Sequence, residues 1–245
     1  MIGILAPERV LTKRFLRRYK FKREVILGGL SVYRSSQVDC VISSLSGANP
    51  SDNKPAVALL LKEYGVRFVV CLGFAYSVDQ TMAVGDVVFC ETIYETTGPM
   101  ALWSRGKARK TDTEANINLY TLFKNMNESG GRYRFGSLLA TANPVSNSRM
   151  KRWVSEEFGV NLLCLREDLV VNECKDAGIP YAVIKGITNY NHIDTVHAGS
   201  EIWYSLKVVI RPHRWVGFYV RSMRRRKAEK ALGSLLMRLV LVDPN

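Results

Sequence analysis

The sequence predicts an α/β domain: a mixed, largely parallel sheet flanked by helices, with a basic helical extension at the C-terminal end. Apolar runs of strand length alternate with helix-forming stretches from Ile2 to Ile187, the order that builds parallel strands joined by helices. The run Arg67 to Phe74 has no polar face, as a central strand covered on both sides requires. The 245 residues, 47% hydrophobic and 23% charged, can bury a core without disulfide or metal staples. They exclude a disordered or collagen-like chain.

Ile2 to Ala6 reads as a short buried first strand. After Pro7-Glu8, the spacing of Val10, Leu11, Phe15 and Leu16 suits a basic amphipathic helix. Glu24 to Tyr33 and Asp39 to Leu45 read as strands, with a turn around Gly28-Gly29, and Ser46 to Pro50 as a loop. Pro55 to Tyr64 is helical, because Ala58, Leu59, Leu60 and Leu61 are good helix formers. Arg67 to Phe74 is a strand, and Gly85 to Phe89 begins another. Residues 97–115 are polar and weakly patterned and read as a long loop. Asn116 to Met126 is a candidate helix, Arg134 to Ala140 a strand, Ser148 to Phe158 a helix and Val160 to Leu165 a strand. Asp168 to Asp176 is a helix that stops at Gly178, and Gly178-Ile179-Pro180 turns the chain sharply into the strand Tyr181 to Ile187. The C-terminal part reads as helical with a break at Arg211-Pro212. Two regions follow, 1–202 as the α/β domain and 203–245 as the extension.

The net charge of +13 sits at the two ends. Residues 1–25 carry +6 and residues 203–245 carry +8, while 26–202 are nearly neutral. A nucleic-acid-binding domain spreads its charge over a face, so nucleic acid is not the expected partner. Basic ends suit an anionic membrane surface or an acidic partner. No apolar run approaches the ~20 residues of a membrane-spanning helix, and the start of the chain lacks the basic region of a signal peptide. The five cysteines show no CxxC or zinc-ligand spacing, so reduced thiols in a cytoplasmic protein are expected. His192 and His197 flank Asp194, but a catalytic zinc takes three ligands in good geometry; neither metal nor organic cofactor is expected.

Several positions could carry chemistry, each with a plain structural explanation beside it. Gly73-Phe74-Ala75 leaves a buried strand, and ligands of open α/β sheets bind at carboxyl ends of strands; the glycine could equally serve the strand exit. Ser46-Gly47-Ala48-Asn49 could cradle an anion or cap a helix. Arg166-Glu167-Asp168 stands where a strand gives way to a helix, where acids complement the dipole. Asn189 follows the strand Tyr181 to Ile187 and could simply be a turn residue. GxGxxG and GxxxxGK[ST] are both absent, so dinucleotide and P-loop readings lack their fingerprint.

Order and spacing change that balance. Lys62-Glu63-Tyr64-Gly65-Val66-Arg67-Phe68-Val69-Val70-Cys71-Leu72-Gly73-Phe74-Ala75, then Val84-Gly85-Asp86-Val87-Val88, then Ala177-Gly178-Ile179-Pro180 with its strand to Asn189 stand in sequence. Together they resemble the purine nucleoside phosphorylase / methylthioadenosine–adenosylhomocysteine nucleosidase superfamily, from Ile2 to about Asp194. Tyr204-Ser205-Leu206, Arg211-Pro212 and the basic helices after them are similar to the tail of hopanoid-associated members, which act on an adenosyl-lipid intermediate.

The resemblance implies cleavage of a purine N-glycosidic bond through an oxocarbenium-like transition state, by general acid–base chemistry and positioning. It implies a homo-oligomer and no cofactor. Glu8 matches the acid that activates water in hydrolases. The family's Met-Glu pair at the strand–helix junction falls on Leu165-Arg166, and a one-residue slip would bring Glu167 to the ribose; an arginine could not accept hydrogen bonds from sugar hydroxyls. The purine-facing Asp falls on Asn189, which some phosphorylases of the superfamily also use. The G-x-A-G-G loop reads Gly73-Phe74-Ala75-Tyr76-Ser77, where two rings can crowd or stack on a nucleoside. The phosphorylase arginine falls near Cys71 and is absent, which favours water over phosphate. The purine-contacting stretch falls on Thr141 to Val145, with Val145 reached through its backbone.

Trp203, Leu206, Ile210, Trp215, Phe218, Tyr219 and Met223 recur at roughly helical spacing among cations from Lys207 to Lys227. That suits an interfacial helix as well as a helix packed on the sheet. Ala231 to Val242 resembles a core-packed final helix. The expectation is cleavage of a purine nucleoside, or of a nucleoside-bearing lipid, by water. A catalytically impaired nucleoside-binding protein and a peripheral membrane or nucleic-acid-binding protein are the alternatives. Residues 203–245 would meet an anionic membrane, at the inner membrane face.

Overall fold

The structure is a computed structural model, and it describes residues 1–25, 31–45, 53–96, 98, 100–123, 132–142, 145, 147–189 and 215–241. One sheet runs through it. The strands are β1 (Ile2–Pro7), β2 (Phe21–Val25), β3 (Ser31–Ser35), β4 (Cys40–Leu45), β5 (Phe68–Ser77), β6 (Val87–Thr96), β7 (Arg109–Asp112), β8 (Tyr133–Thr141), β9 (Leu162–Leu165) and β10 (Tyr181–Asn189). The helices are α1 (Lys13–Arg18), α2 (Asn53–Glu63), α3 (Glu114–Phe123), α4 (Ser148–Phe158), α5 (Asp168–Asp176) and α6 (Trp215–Leu239).

Five strands, β5, β10, β6, β8 and β9, pair in a closed ring, because β9 returns to β5. From β5 an arm of β1, β4, β3 and β2 extends outward. The sheet is mixed: β5 is parallel to β1 and β10, whereas β6 is antiparallel to β10 and β9 to β5. The fork lies on one edge of β5. β1 occupies that edge from Phe68 to Cys71, and β9 joins it at Tyr76 and Ser77. Between them, at Leu72 to Ala75, one neighbour has left and the other has not arrived. Such a divergence is where α/β sheets open a crevice for ligands.

Alternate residues of β5 enter different cores. Val69, Cys71 and Ala75 pack with α2 and α5 through Val57, Leu60, Val170 and Cys174. Phe68, Val70, Leu72 and Phe74 face a second core that contains Val10, Phe15, Leu119, Leu232 and Leu236, from the N-terminal segment, α3 and α6. The period-2 alternation of a strand therefore gives this chain two apolar faces, which is why Arg67 to Phe74 has no polar one.

Several expectations need correction. Gly73-Phe74-Ala75-Tyr76-Ser77 is not a loop: β10 and β9 pair with it, so β5 runs on to Ser77. The stretch 24–33 contributes the end of β2, at Val25, and the start of β3, at Ser31, which form an antiparallel pair; the turn expected at Gly28-Gly29 lies outside the described residues. The segment 97–115 holds two single-turn helices, Met100–Leu102 and Arg105–Lys107, and then β7, which pairs with β6. Polar residues form β7 because only Thr111 of its four residues is buried. The loop 46–50, the break at Arg211-Pro212 and the cluster of His192, Asp194 and His197 lie outside the described residues.

Candidate active site

The strand register assembles the site. Lys185 stands opposite Gly73, Gly186 opposite Phe74, Ile187 opposite Ala75, and Asn189 opposite Tyr76 after an irregularity. On the other edge, the Cys164 thiol lies 3.6 Å from the Phe74 carbonyl, inside the fork. Leu165 ends β9 opposite Thr141, the last residue of β8. Arg166 then adopts a left-handed backbone (φ 53) and donates its N–H to the Thr141 carbonyl at 3.1 Å. A non-glycine residue there is uncommon and marks a turn under constraint. Its effect is to put Arg166 and Glu167 on opposite courses.

Arg166 turns toward solvent, its side chain 38% exposed, and its guanidinium pairs with both carboxylate oxygens of Asp168, at 3.2 and 3.1 Å. Glu167 turns inward and is 1% exposed. Its Oε2 lies 2.5 Å from Lys185 Nζ, and the Cys164 thiol approaches the same oxygen at 3.7 Å. Its Oε1 is buried and has no hydrogen-bond partner in the structure. An unmet buried acceptor costs about 1–3 kcal/mol and calls for an explanation.

Lys185 is the residue that the sequence analysis missed. Burial works against its positive charge, but the Glu167 carboxylate more than offsets this and holds its pKa above the ordinary lysine value. Gly73 makes the space: a Cβ there would stand 2.5 Å from Lys185 Nζ. The signal was available, since a lysine inside an apolar parallel strand is almost never buried without a partner. Burial, first, and then the Glu167 charge push the Cys71 thiol well above its usual value, and burial pushes Cys164 up to about 12. Both are neutral thiols at physiological pH.

Two further cations lie against the site's rings. The buried Lys151 of α4 has its Nζ 5.6 Å from the centre of the Tyr76 ring. Arg225 of α6 lies 5.6 Å from the centre of Phe74. Arg225 is 3.3 Å from Glu229, which is 3.9 Å from Arg9. This chain of contacts ties α6 to the turn after β1, where Glu8 sits exposed as the first residue of a single-turn helix. Val145 is buried, packing with Tyr94, Phe158 and Leu163. Asn189 ends β10; its side chain is outside the described residues.

The structure thus brings Gly73, Phe74, Ala75, Tyr76, Leu165, Glu167 and the backbone of Asn189 around one fork, with Arg166 at its outer side. Glu8 stands exposed after β1 and makes no side-chain hydrogen bond or ion pair with the described residues of the fork; its neighbour Arg9 reaches Glu229, the partner of Arg225. A cavity of about 1060 Å³ lies elsewhere, at the amino ends of β1, β4 and β5, lined by Ile2, Cys40, Phe68 and Leu239. That is the wrong end of the strands for a ligand site of this class of sheet.

A forked mixed sheet with a buried carboxylate at its strand–helix junction defines an α/β protein with a ligand crevice at the carboxyl ends of its strands. The phosphorylase superfamily model matches residues 13–203, and the chain belongs to that superfamily. Among solved structures it is similar to a futalosine hydrolase mutant of Helicobacter pylori strain 26695, with a TM-score of 0.69, 16% identity, and 96% of this chain and 97% of that chain covered. It is similar to the 5'-methylthioadenosine/S-adenosylhomocysteine nucleosidase of Helicobacter pylori bound to butyl-thio-DADMe-Immucillin-A, with a TM-score of 0.68, 15% identity and 96% of each chain covered. The MTA/SAH nucleosidase of Streptococcus pneumoniae in complex with 8-aminoadenine gives a TM-score of 0.65 and 17% identity, with 96% of this chain and 98% of that chain covered. No curated protein matches the chain. Among the described residues, no helix is long and apolar enough to cross a membrane.

Proposed function

We propose that the protein hydrolyses the N-glycosidic bond of a purine nucleoside, with Glu167 as the group that holds the sugar. The carrying observation is the divided state of that carboxylate: Oε2 is paired with Lys185, and Oε1 is buried without a partner. A carboxylate is an acceptor only, so Oε1 suits a sugar hydroxyl, and Lys185 holds the group in place through Oε2. Arg166, held by Asp168 and unable to accept a hydrogen bond, serves better at the rim than at the hydroxyls.

Glu8 takes the proton of the attacking water. The water oxygen bonds to the anomeric carbon as the bond to the purine nitrogen breaks, and the electron pair leaves with the base. Asn189 hydrogen-bonds a ring nitrogen of the departing purine, which takes its proton from solvent. Phe74 and Tyr76 stack on the nucleoside, Val145 meets the base through its backbone, and Gly73, Ala75 and Leu165 shape the floor. Water is preferred to phosphate because β5 carries Cys71, a buried neutral thiol, where phosphorolysis calls for a cation.

Chromatography of free purine tests this, using adenosine, inosine, methylthioadenosine and adenosylhomocysteine with and without phosphate. Base released without phosphate supports hydrolysis. Base released only with phosphate overturns the preference for water. Bound nucleoside with no release under either condition overturns catalysis in favour of a nucleoside-binding protein.

A further inference from the structure

The chain's two basic segments, far apart in sequence, come together in the structure. Val10, Leu11 and Phe15 share an apolar core with Leu232, Leu235 and Leu236. Tyr19 Oη donates to the Met237 carbonyl at 3.0 Å, and Arg9 lies 3.9 Å from Glu229. These contacts place α1 beside the carboxyl half of α6, and the exposed side of α1 carries Arg14, Arg17 and Arg18.

The apolar side of α6 changes along its length. From Ala228 to Leu239 the buried side chains point to the sheet. Among the described side chains of the amino half, Tyr219 is 64% exposed, Met223 53% and Val220 36%. Arg226, Lys227 and Lys230 continue the exposed stripe at helical spacing. Glu229 is turned away from it, toward Arg225 and Arg9. A solvated helix face mixes both signs of charge, and a phosphate-tracking face needs cations only. Cations beside an exposed tyrosine, methionine and valine are what an interfacial helix needs.

We infer that the exposed face of the amino half of α6 docks on an anionic lipid bilayer. Its cations meet headgroup phosphates, and Tyr219, Val220 and Met223 enter the interfacial layer. The inference goes beyond the proposed reaction and holds whether or not the site cleaves a nucleoside. Arg225 of the same helix lies over Phe74, so docking brings the edge of the site to the lipid surface.

Flotation of the full chain tests this, with vesicles of phosphatidylcholine alone or mixed with phosphatidylglycerol. The protein is expected to float with the mixed vesicles, less so as salt rises, and to stay down with phosphatidylcholine alone. Each juxtamembrane charge is worth about a fivefold change in partitioning, so Arg226→Gln with Lys230→Gln lowers it by about 25-fold. Tyr219→Ser with Met223→Ser removes the fraction that resists salt. All four side chains are solvent-facing, and unchanged thermal unfolding verifies that each variant is folded. Failure of the folded protein to float on mixed vesicles overturns the inference. So does flotation that neither pair of substitutions changes. Binding to a DNA or RNA duplex that follows the charges and ignores Tyr219 and Met223, without flotation, assigns the face to nucleic acid and overturns it as well.

Discussion

Lys185 Nζ lies 2.5 Å from Glu167 Oε2, and both side chains are 2% exposed. The pair joins the middle of β10 to the start of α5 and fixes a carboxylate where β5 changes neighbours. A buried ion pair is poor evidence for stability, but removing one partner leaves the other charge uncompensated.

Lys185→Met is therefore expected to destabilise the protein by about 3–5 kcal/mol, measured by urea unfolding, and Lys185→Met with Glu167→Gln to recover much of that loss. The pH dependence has a definite sign. The folded pKa of Lys185 is raised, so its contribution is complete below the unfolded value of about 10.4 and fades as pH rises through the higher folded value. Stability owed to the pair should thus not change between pH 6 and 9; a loss within that range would contradict the assignment.

Gly73→Ala tests why a glycine stands opposite Lys185. The new methyl would meet Nζ at 2.5 Å, and the ammonium cannot retreat without leaving Glu167. Crowding of this kind costs about 1–3 kcal/mol. In a Lys185→Met background the terminal nitrogen is gone, so the penalty should shrink, and the double-mutant cycle should show coupling. Additive effects would mean that Gly73 serves the backbone alone.

The thiols give a third prediction. Cys40, Cys71, Cys90 and Cys174 are buried and Cys164 is partly so. Burial raises Cys40, Cys164 and Cys174 to about 12, against about 8.5 for a free cysteine. Thiol titration at neutral pH should be slow in the folded protein and should reach five thiols per chain in denaturant. A fast stoichiometric reaction without denaturant would show an activated cysteine.

Arg225→Ala should weaken substrate binding without unfolding the protein, because the guanidinium lies over Phe74 beside Glu229. Cation–ring contacts are worth about 0.5–2 kcal/mol, so KM should rise by about two- to thirtyfold with kcat nearly unchanged. A fall in kcat at constant KM would place Arg225 in the chemical step instead.

Much of the fold was legible in the sequence, and the reasons are local. Ser148 to Phe158 and Asp168 to Asp176 have clear stops at Gly159 and Gly178, both with positive φ, and the structure gives these bounds for α4 and α5. Strand ends were harder, because pairing and not composition decides them: β5 reaches Ser77 only because β9 returns to it. β7 carries no apolar alternation and exists by pairing with β6. The site was legible as a neighbourhood of strand ends. Its electrostatics were not, since the Glu167–Lys185 contact crosses 18 residues and depends on the left-handed turn at Arg166. The convergence of the two basic ends is also a tertiary fact, set by Tyr19 and Met237.

The most direct test of the account is purine release by Glu167→Gln, compared with the folded wild-type protein on the best nucleoside of the panel. The amide keeps the shape of the side chain and removes its charge. The account predicts a fall in kcat/KM of about a hundredfold or more, the loss of one charge-assisted contact worth about 3 kcal/mol in the transition state. Wild-type rates from a folded Glu167→Gln protein would contradict it and leave the buried carboxylate a purely structural group.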